Sequence, residues 1–299
     1  ARDNMYEGSK TPVTIDELTP SIIRDTSKCV LCGRCVERCK NAQGIGILGF
    51  ENRGFRTIVA PAYNRSMKNS PCILCGQCVN VCPTGALMEK SEIDKLDQAK
   101  KEGKYIVVQT APAVRAALGE EFGMPIGTSV TGKMVAALKR LGFDKVYDTN
   151  FAADLTIMEE ATELLHRIKE GGQLPMITSC SPGWVNYAEY FYGDLLGHLS
   201  SCKSPHEMEG AIIKSYFAEK QGLDPKNIFV VSIMPCTAKK YEKERPENAS
   251  KEGLKDVDCV LTTRELARLI KRSGIDFRRL PDEEFDQDLL GEYTGAGVI

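Results

Sequence analysis

Two runs of cysteine, Cys29-Val-Leu-Cys32-Gly-Arg-Cys35-Val-Glu-Arg-Cys39 and Cys72-Ile-Leu-Cys75-Gly-Gln-Cys78-Val-Asn-Val-Cys82-Pro83, constrain this chain more than any other feature in it. Each reads C-x2-C-x2-C-x3-C, and the second is followed by Pro. Zinc sites pair two cysteines with two more and leave none over. Two complete runs of four fit that arithmetic, or a set of disulfides, less well than they fit a pair of 4Fe-4S clusters, which take four thiolates each.

The spacing is similar to that of the two-cluster bacterial ferredoxins. The resemblance implies that three thiolates of one run and the fourth of the other hold each cubane. One cluster then takes Cys29, Cys32, Cys35 and Cys82, and the other takes Cys72, Cys75, Cys78 and Cys39. Residues 22–90 are expected to form this domain, with short glycine-flanked loops bringing backbone N–H groups towards the cluster sulfurs. Between the two runs, Gly44 to Pro61 reads as a strand pair with glycine turns. Residues 1–21 are polar with scattered Pro and Gly, and read as a linker from an earlier domain or a disordered arm; the absence of an initiator Met at Ala1 suggests further sequence upstream.

The 299 residues suit one or two domains with a substantial core. A formal net charge of −2 gives no reason to expect nucleic acid or an anionic membrane as partner. Of twelve cysteines, eight lie in the two runs and Cys180, Cys202, Cys236 and Cys259 are scattered, a pattern of a reducing compartment and hence of the cytoplasm. Neither a long apolar run nor a charged-then-apolar leader is present, so no membrane partner or signal peptide is expected.

Ser91 to Lys104 reads as a connecting helix with Ser91 as N-cap. After Lys104, short β-branched runs alternate with amphipathic stretches. Strands are predicted at Tyr105 to Gln109, Lys145 to Asp148, Pro175 to Thr178, Asn227 to Ile233 and Val257 to Leu261. Helices are predicted at Thr131 to Leu141, Ala153 to Glu170, His206 to Lys220 and Thr263 to Arg272. Alternation of this kind means an α/β domain, here residues 91–299, with parallel sheets covered by helices beside a small α+β ferredoxin domain. Functional groups in such folds gather at the carboxyl ends of strands. Gly127-Thr-Ser-Val-Thr-Gly132-Lys133-Met134 matches a phosphate-binding loop up to its last position, where Met replaces the hydroxyl that would hold magnesium, and it is set aside.

Cys180 and Cys236 each follow an apolar run and sit close to a Pro. Their contexts, Thr178-Ser-Cys-Ser-Pro-Gly-Trp184 and Met234-Pro-Cys-Thr-Ala-Lys-Lys-Tyr-Glu242, resemble two of the three sequence signatures of the iron-iron (FeFe) hydrogenases. Gln109-Thr-Ala-Pro-Ala-Val-Arg115, Ser200-Ser-Cys-Lys-Ser-Pro205, Leu261-Thr-Thr-Arg-Glu-Leu266 and Gly291-Glu-Tyr-Thr-Gly-Ala-Gly297 resemble that family too. The resemblance implies a catalytic subunit making or splitting H2 at an H-cluster, a 4Fe-4S cubane joined through a cysteine to a two-iron unit carrying CO, cyanide and a bridging azadithiolate. It makes Cys236 a cubane ligand and Lys239 the partner of one cyanide, with Pro112 lining the second. Met234 is implied to pack on the two-iron unit. Cys180 is implied to pass protons to the azadithiolate, relayed by Ser200, Glu163 and Glu160 with Arg167 nearby; Glu160 and Glu163, at i and i+3, share a helix face. An electron-carrier ferredoxin, or partner subunits carrying NADH and flavin chemistry, would supply electrons.

Three departures from the family pattern are visible. Ser181 stands where the family has a second cubane thiolate, and a hydroxyl is a harder, less acidic ligand. The third signature would follow Ile299, so the chain reads as C-terminally incomplete. His206 stands where the family has Gln near the two-iron unit. The rival reading is an electron-transfer subunit that kept the fold and lost the H-cluster: Ser181 and the missing signature favour it, while the complete relay favours the enzyme. An iron-sulfur assembly factor, a third reading, is weakened by that relay and by the ferredoxin match. Cys202 and Cys259 carry no partner signal and are expected to be buried core thiols, and His166 and His198 are isolated.

Overall fold

The computed structural model describes residues 12–249, 253–287 and 289, in two compact units divided between Lys90 and Ser91. The Gly291 to Gly297 stretch lies outside the described residues.

The first unit carries β1 (Ile15–Asp16), β2 (Ile22–Asp25), α1 (Arg34–Glu37), β3 (Gly49–Glu51), β4 (Ile58–Ala60), α2 (Gln77–Asn80) and β5 (Leu87–Glu89). Strands β1, β2 and β5 form an antiparallel sheet, and β3 pairs antiparallel with β4 as the glycine turns predicted. Residues 12–21 correct the expectation of a linker or arm. Ile15 and Asp16 pair with β2, and the buried Asp16 carboxylate accepts from Ser66 Oγ at 2.7 Å and Met67 N at 2.8 Å. Composition suggests a solvated tail; the buried acceptor makes the segment part of the unit.

The two cysteine runs fold alike. Leu31 and Leu74 occupy the left-handed region at φ 56° and 57°, and Gly33 and Gly76 follow at φ 75° and 72°, each opening a short helix, α1 or α2. A left-handed leucine costs about 1–2 kcal/mol, so its appearance at the same step of both runs marks a loop that packing imposes for a purpose.

The second unit runs α3 (Ile93–Lys101), β6 (Tyr105–Thr110), α4 (Val114–Ala117), α5 (Thr131–Arg140), β7 (Lys145–Asp148), α6 (Asn150–Glu170), α7 (Pro182–Phe191), α8 (Pro205–Ile212), α9 (Ala218–Gln221), β8 (Ile228–Met234), α10 (Lys239–Glu242), β9 (Cys259–Thr262) and α11 (Thr263–Arg272). Four strands form one parallel sheet in the order β7-β6-β8-β9. Val107, Val108, Val230, Val231, Val260 and Leu261 are fully buried in it. This is the α/β fold that strand–helix alternation predicts. Helix α11 begins with a capping box, Thr262 accepting from Glu265 N while the Glu265 carboxylate accepts from Thr262 N.

Pro175 to Thr178 is not a sheet strand. Pro175 has no N–H to give a ladder, and Ile177 bonds instead to the loop beyond α7, donating to His198 O at 2.8 Å and accepting from Ser200 N at 2.7 Å. The predicted helix from His206 to Lys220 runs through α8 and α9 with a π-helical turn, Ile213–Phe217, between them. Gly132 of the discarded phosphate-loop match lies in α5, where an added Cβ would come within 2.8 Å of Asp282 Cα, and Lys133 Nζ donates to Leu280 O. That glycine serves packing.

Candidate functional site

In the first unit the fold sorts the eight cysteines into two small voids. One is lined by Cys29, Cys32, Cys35 and Cys82, the other by Cys39, Cys72, Cys75 and Cys78. Each void draws three cysteines from one run and one from the other, because α1 and α2 carry the last cysteine of each run across to its neighbour. Burial pushes the Cys35 thiol up to about 11, helped by Cys29 and Cys82. Burial pushes Cys72 up to about 12, with Cys75 and Cys39 adding to it. Thiols that raise one another in this way are held by packing at positions where cationic iron would turn all four into thiolates.

In the second unit, the carboxyl ends of β6 and β8 carry Pro112 and Cys236. Pro112 is exposed, Met234 is buried at the end of β8, and Cys236 and Cys180 are half-buried. Ser181 is the exposed N-cap residue of α7, and its side chain makes no capping bond. Lys239, in the first turn of α10, donates to Cys180 O at 2.8 Å and to Glu242 Oε2 at 2.7 Å, so it clips the Cys180 loop to the Cys236 loop.

His206, predicted beside the two-iron unit, is 1% exposed and has both ring nitrogens engaged. Burial, with the Lys239 ammonium nearby, depresses it to about 4 against the pull of Glu242. The neutral ring therefore donates from Nε2 to Glu242 Oε2 at 2.7 Å and accepts at Nδ1 from Ser232 Oγ at 3.1 Å, a tautomer set by those partners. Burial would raise Glu242, but His206 and Lys239 outweigh it and hold the carboxyl at about 2.

Helix α6 presents the acids. Glu163 and Arg167, at i and i+4, form an ion pair of 2.5 Å. Glu163 also accepts from Ser200 Oγ at 3.0 Å, Ser201 N at 3.0 Å and Ser201 Oγ at 3.1 Å. Partial burial opposes ionisation, yet these donors, Arg167 foremost, keep the carboxyl below its ordinary value. Arg167 in turn donates to Leu199 O at 2.7 Å, which pins the loop before Ser200. Glu160 belongs to a second branch, accepting from Thr178 Oγ1 at 2.8 Å, two residues before Cys180. The structure thus brings together Glu163, Ser200 and Arg167, and separately joins Glu160 to the Cys180 loop.

Sequence reasoning passed over Thr178, Ser201, Cys202 and Glu242. The i,i+3 spacing of Lys239 and Glu242 was the available signal for the last. Cys259 is fully buried, as expected of a core thiol. Cys202 is not: it is half-buried, its Sγ lying 3.7 Å from Glu163 Oε2.

Residues 104–299 match the family model for the iron only hydrogenase large subunit, C-terminal domain, and residues 28–86 match a 4Fe-4S dicluster domain. The chain is 51% identical, over its whole length, to 52% of the NADP-reducing hydrogenase subunit HndD of Solidesulfovibrio fructosivorans. It is 50% identical over 95% of its length to half of iron hydrogenase 1 of Clostridium pasteurianum. The solved apo FeFe hydrogenase of Chlamydomonas reinhardtii, a point variant, superposes with a TM-score of 0.63 at 44% identity, over 67% of this chain and 53% of that one. The chain spans about half the length of the curated relatives it matches.

Proposed function

The chain belongs to the iron-only hydrogenase large-subunit family and carries a 4Fe-4S dicluster domain, and from that premise we propose that it provides the reversible reduction of protons to H2, as part of an FeFe hydrogenase catalytic subunit. Two 4Fe-4S clusters, one on Cys29, Cys32, Cys35 and Cys82 and the other on Cys72, Cys75, Cys78 and Cys39, relay the electrons. The two voids lined by four thiols each support that assignment.

Cys236, and Ser181 through its exposed hydroxyl, would hold the cubane of the H-cluster, with Lys239, Pro112 and Met234 around the two-iron unit. When bound, that cluster supplies the electrons and the metal site at which protons become H2. Lys239 presents an ammonium donor fixed between Cys180 O and Glu242. Met234 offers an apolar wall that keeps water from its side of the site. Cys180 would be the proton-carrying thiol of the site, and Glu160 accepts from the Thr178 hydroxyl two residues before it.

The observation that carries the reading is Glu163. A carboxylate fixed by Arg167 and fed by Ser200 and Ser201 is built to take a proton from outside and hand it to a hydroxyl. A solvated helix face would have neither the half-buried arginine clamp nor the convergent serines. In the mature enzyme, Glu163→Gln is expected to lower H2 evolution from reduced dye by about 10²-fold or more, with the visible and infrared signatures of the clusters intact. Unchanged evolution would return Glu163 to a structural role and overturn the relay.

A ferredoxin, or NAD(P)-linked flavin subunits, would deliver the electrons in the cytoplasm; the HndD relative is named as a subunit of an NADP-reducing hydrogenase. No helix among the described residues is long and apolar enough to cross a membrane.

A further inference from the structure

Two carboxylates converge on one ring nitrogen in the second unit. His206 Nε2 lies 2.7 Å from Glu242 Oε2 and 3.2 Å from Glu207 Oε1. A neutral imidazole has at most one hydrogen on that nitrogen, and Glu242 takes it. Glu207 is left without a donor: it is 0% exposed, and among the described residues neither of its carboxyl oxygens has a hydrogen-bond partner. Lys239 is bonded to Glu242 and Lys203 to Asp256, so neither ammonium is spent on Glu207. An ionised carboxyl there is uncompensated, and a protonated one still lacks an acceptor for its O–H.

We propose that His206, Glu207 and Glu242 hold a divalent transition-metal ion, in addition to the clusters of the two cysteine runs. A hydrogen on Nε2 serves one carboxylate; a cation serves both. One ligand atom from each of the three residues lies within 4.8 Å of the other two. Ligand distances of about 2.0–2.2 Å set neighbouring ligand atoms about 3 Å apart around such an ion, and the separations of 3.2 and 2.7 Å fall on either side of that.

The surroundings fit the same role. His206 Nδ1 is 3.1 Å from Ser232 Oγ. A metal-ligating histidine hands its other N–H to an oxygen, and a serine hydroxyl, which donates or accepts, serves the ring in either tautomer. Gln109 Nε2 donates to His206 O at 2.8 Å and fixes the start of α8. Glu242 also lines a cavity of about 390 Å³ with Ser204, Arg245 and Asn248, which gives an ion and a coordinating water a way in. One imidazole with two carboxylates and no thiolate suits Mn2+, Fe2+ or Zn2+.

Binding involves no turnover, so the site stands or falls apart from the proton-reduction reading. The test uses the full-length protein with both 4Fe-4S clusters reconstituted and oxidised, excess iron removed, and Mn2+ as the probe, since manganese favours oxygen ligands over thiolates. One Mn2+ per chain should bind, with spin-echo modulation from an imidazole nitrogen. The chain has three histidines, so the modulation should vanish in His206→Gln and persist in His166→Gln and His198→Gln. Glu207→Gln, which keeps the side chain's shape, should weaken Mn2+ by at least tenfold, and Ser232→Ala, which leaves all three ligands in place, by about tenfold. Absence of stoichiometric Mn2+, bound Mn2+ without the nitrogen coupling, or coupling unmoved in His206→Gln would each overturn the site. Unchanged affinity in Glu207→Gln would overturn it as well, because the unpartnered carboxyl is what carries the inference.

Discussion

The Lys239–Glu242 pair is where chemistry and stability can be measured together. The two side chains are 2.7 Å apart and only 11% and 8% exposed. Glu242 sits at about 2 in the fold against an ordinary 4.5, held there against burial by His206 first and Lys239 second; at about 1.36 kcal/mol per unit the difference is roughly 3 kcal/mol, shared between those two partners. Breaking a buried pair by removing one partner costs about 3–5 kcal/mol, and Lys239 keeps its bond to Cys180 O, so the lower end applies. Glu242→Leu and Lys239→Met should each destabilise the second unit by about 3 kcal/mol, and the double variant should fall about 2 kcal/mol short of the sum. Trp184, the single tryptophan, lies in α7 beside the Cys180 loop and reports this unit alone in urea unfolding followed by fluorescence. The folded carboxyl is depressed, so Glu242 with His206 and Lys239 contributes stability above pH 4.5 that is lost as pH falls towards 2; the variants should therefore converge with the parent in acid. A coupling below about 0.5 kcal/mol, the size of an exposed pair, would refute the claim that Glu242 fixes Lys239.

Other outcomes follow from the same geometry. Cys82→Ala should abolish the cluster expected on the first cysteine run and spare the other, and Cys39→Ala should do the reverse; iron and sulfide analysis after anaerobic reconstitution reads this, and loss of the same-run cluster would overturn the crossing. Gly210→Ala in α8 should cost about 1–3 kcal/mol by urea unfolding, since an added Cβ would meet Asp256 O at 2.6 Å; a neutral variant would mean the helix can shift. Burial and the neighbouring Asp148 hold the Glu209 carboxyl up at about 8. The unfolded chain loses that proton near 4.5 and the folded one does not, so stability falls from about pH 4.5 to 8 and then levels. Glu209→Gln should remove this slope, and a parallel pH curve for the two proteins would show that Glu209 is solvated.

The alternation of strands and helices after Lys104 was legible because one face of each element meets the core. Lys145–Asp148 and Thr263–Arg272 coincide with the boundaries read from the residues. Residues 175–178 misled for the opposite reason: β-branched and apolar content says that a segment is buried, not which neighbour supplies its hydrogen bonds. Residues 12–21 show the same limit from the polar side, since nothing local to Asp16 announces that Ser66 and Met67, fifty residues away, donate to it. In the site, the cysteine runs were readable because their ligand spacing is local. Cys202 was not, because its meaning lies in a helix that approaches from another part of the chain.

Lys239-Lys240-Tyr241-Glu242-Lys243 makes the point most sharply. As sequence, it is a charge run of the kind that normally lies in solvent. In the fold, the side chains of Lys240 and Lys243 are fully buried. A five-residue segment, α10 and the Lys243 that follows it, can bury three lysines only if each meets a carboxylate, and here the carboxylates come from three places. Glu265 of α11 takes Lys240 at 2.9 Å, Glu92 beside α3 takes Lys243 at 3.1 Å, and Glu242 of the same turn takes Lys239. Since losing one member leaves an uncompensated charge behind, the Lys240 and Lys243 pairs hold this segment against α11 and the start of α3, while the Lys239 pair fixes the lysine within the turn. The loop that carries Cys236 leads straight into this helix, so the ion pairs that look like solvent exposure in the sequence are what fixes the cysteine and the lysine relative to each other.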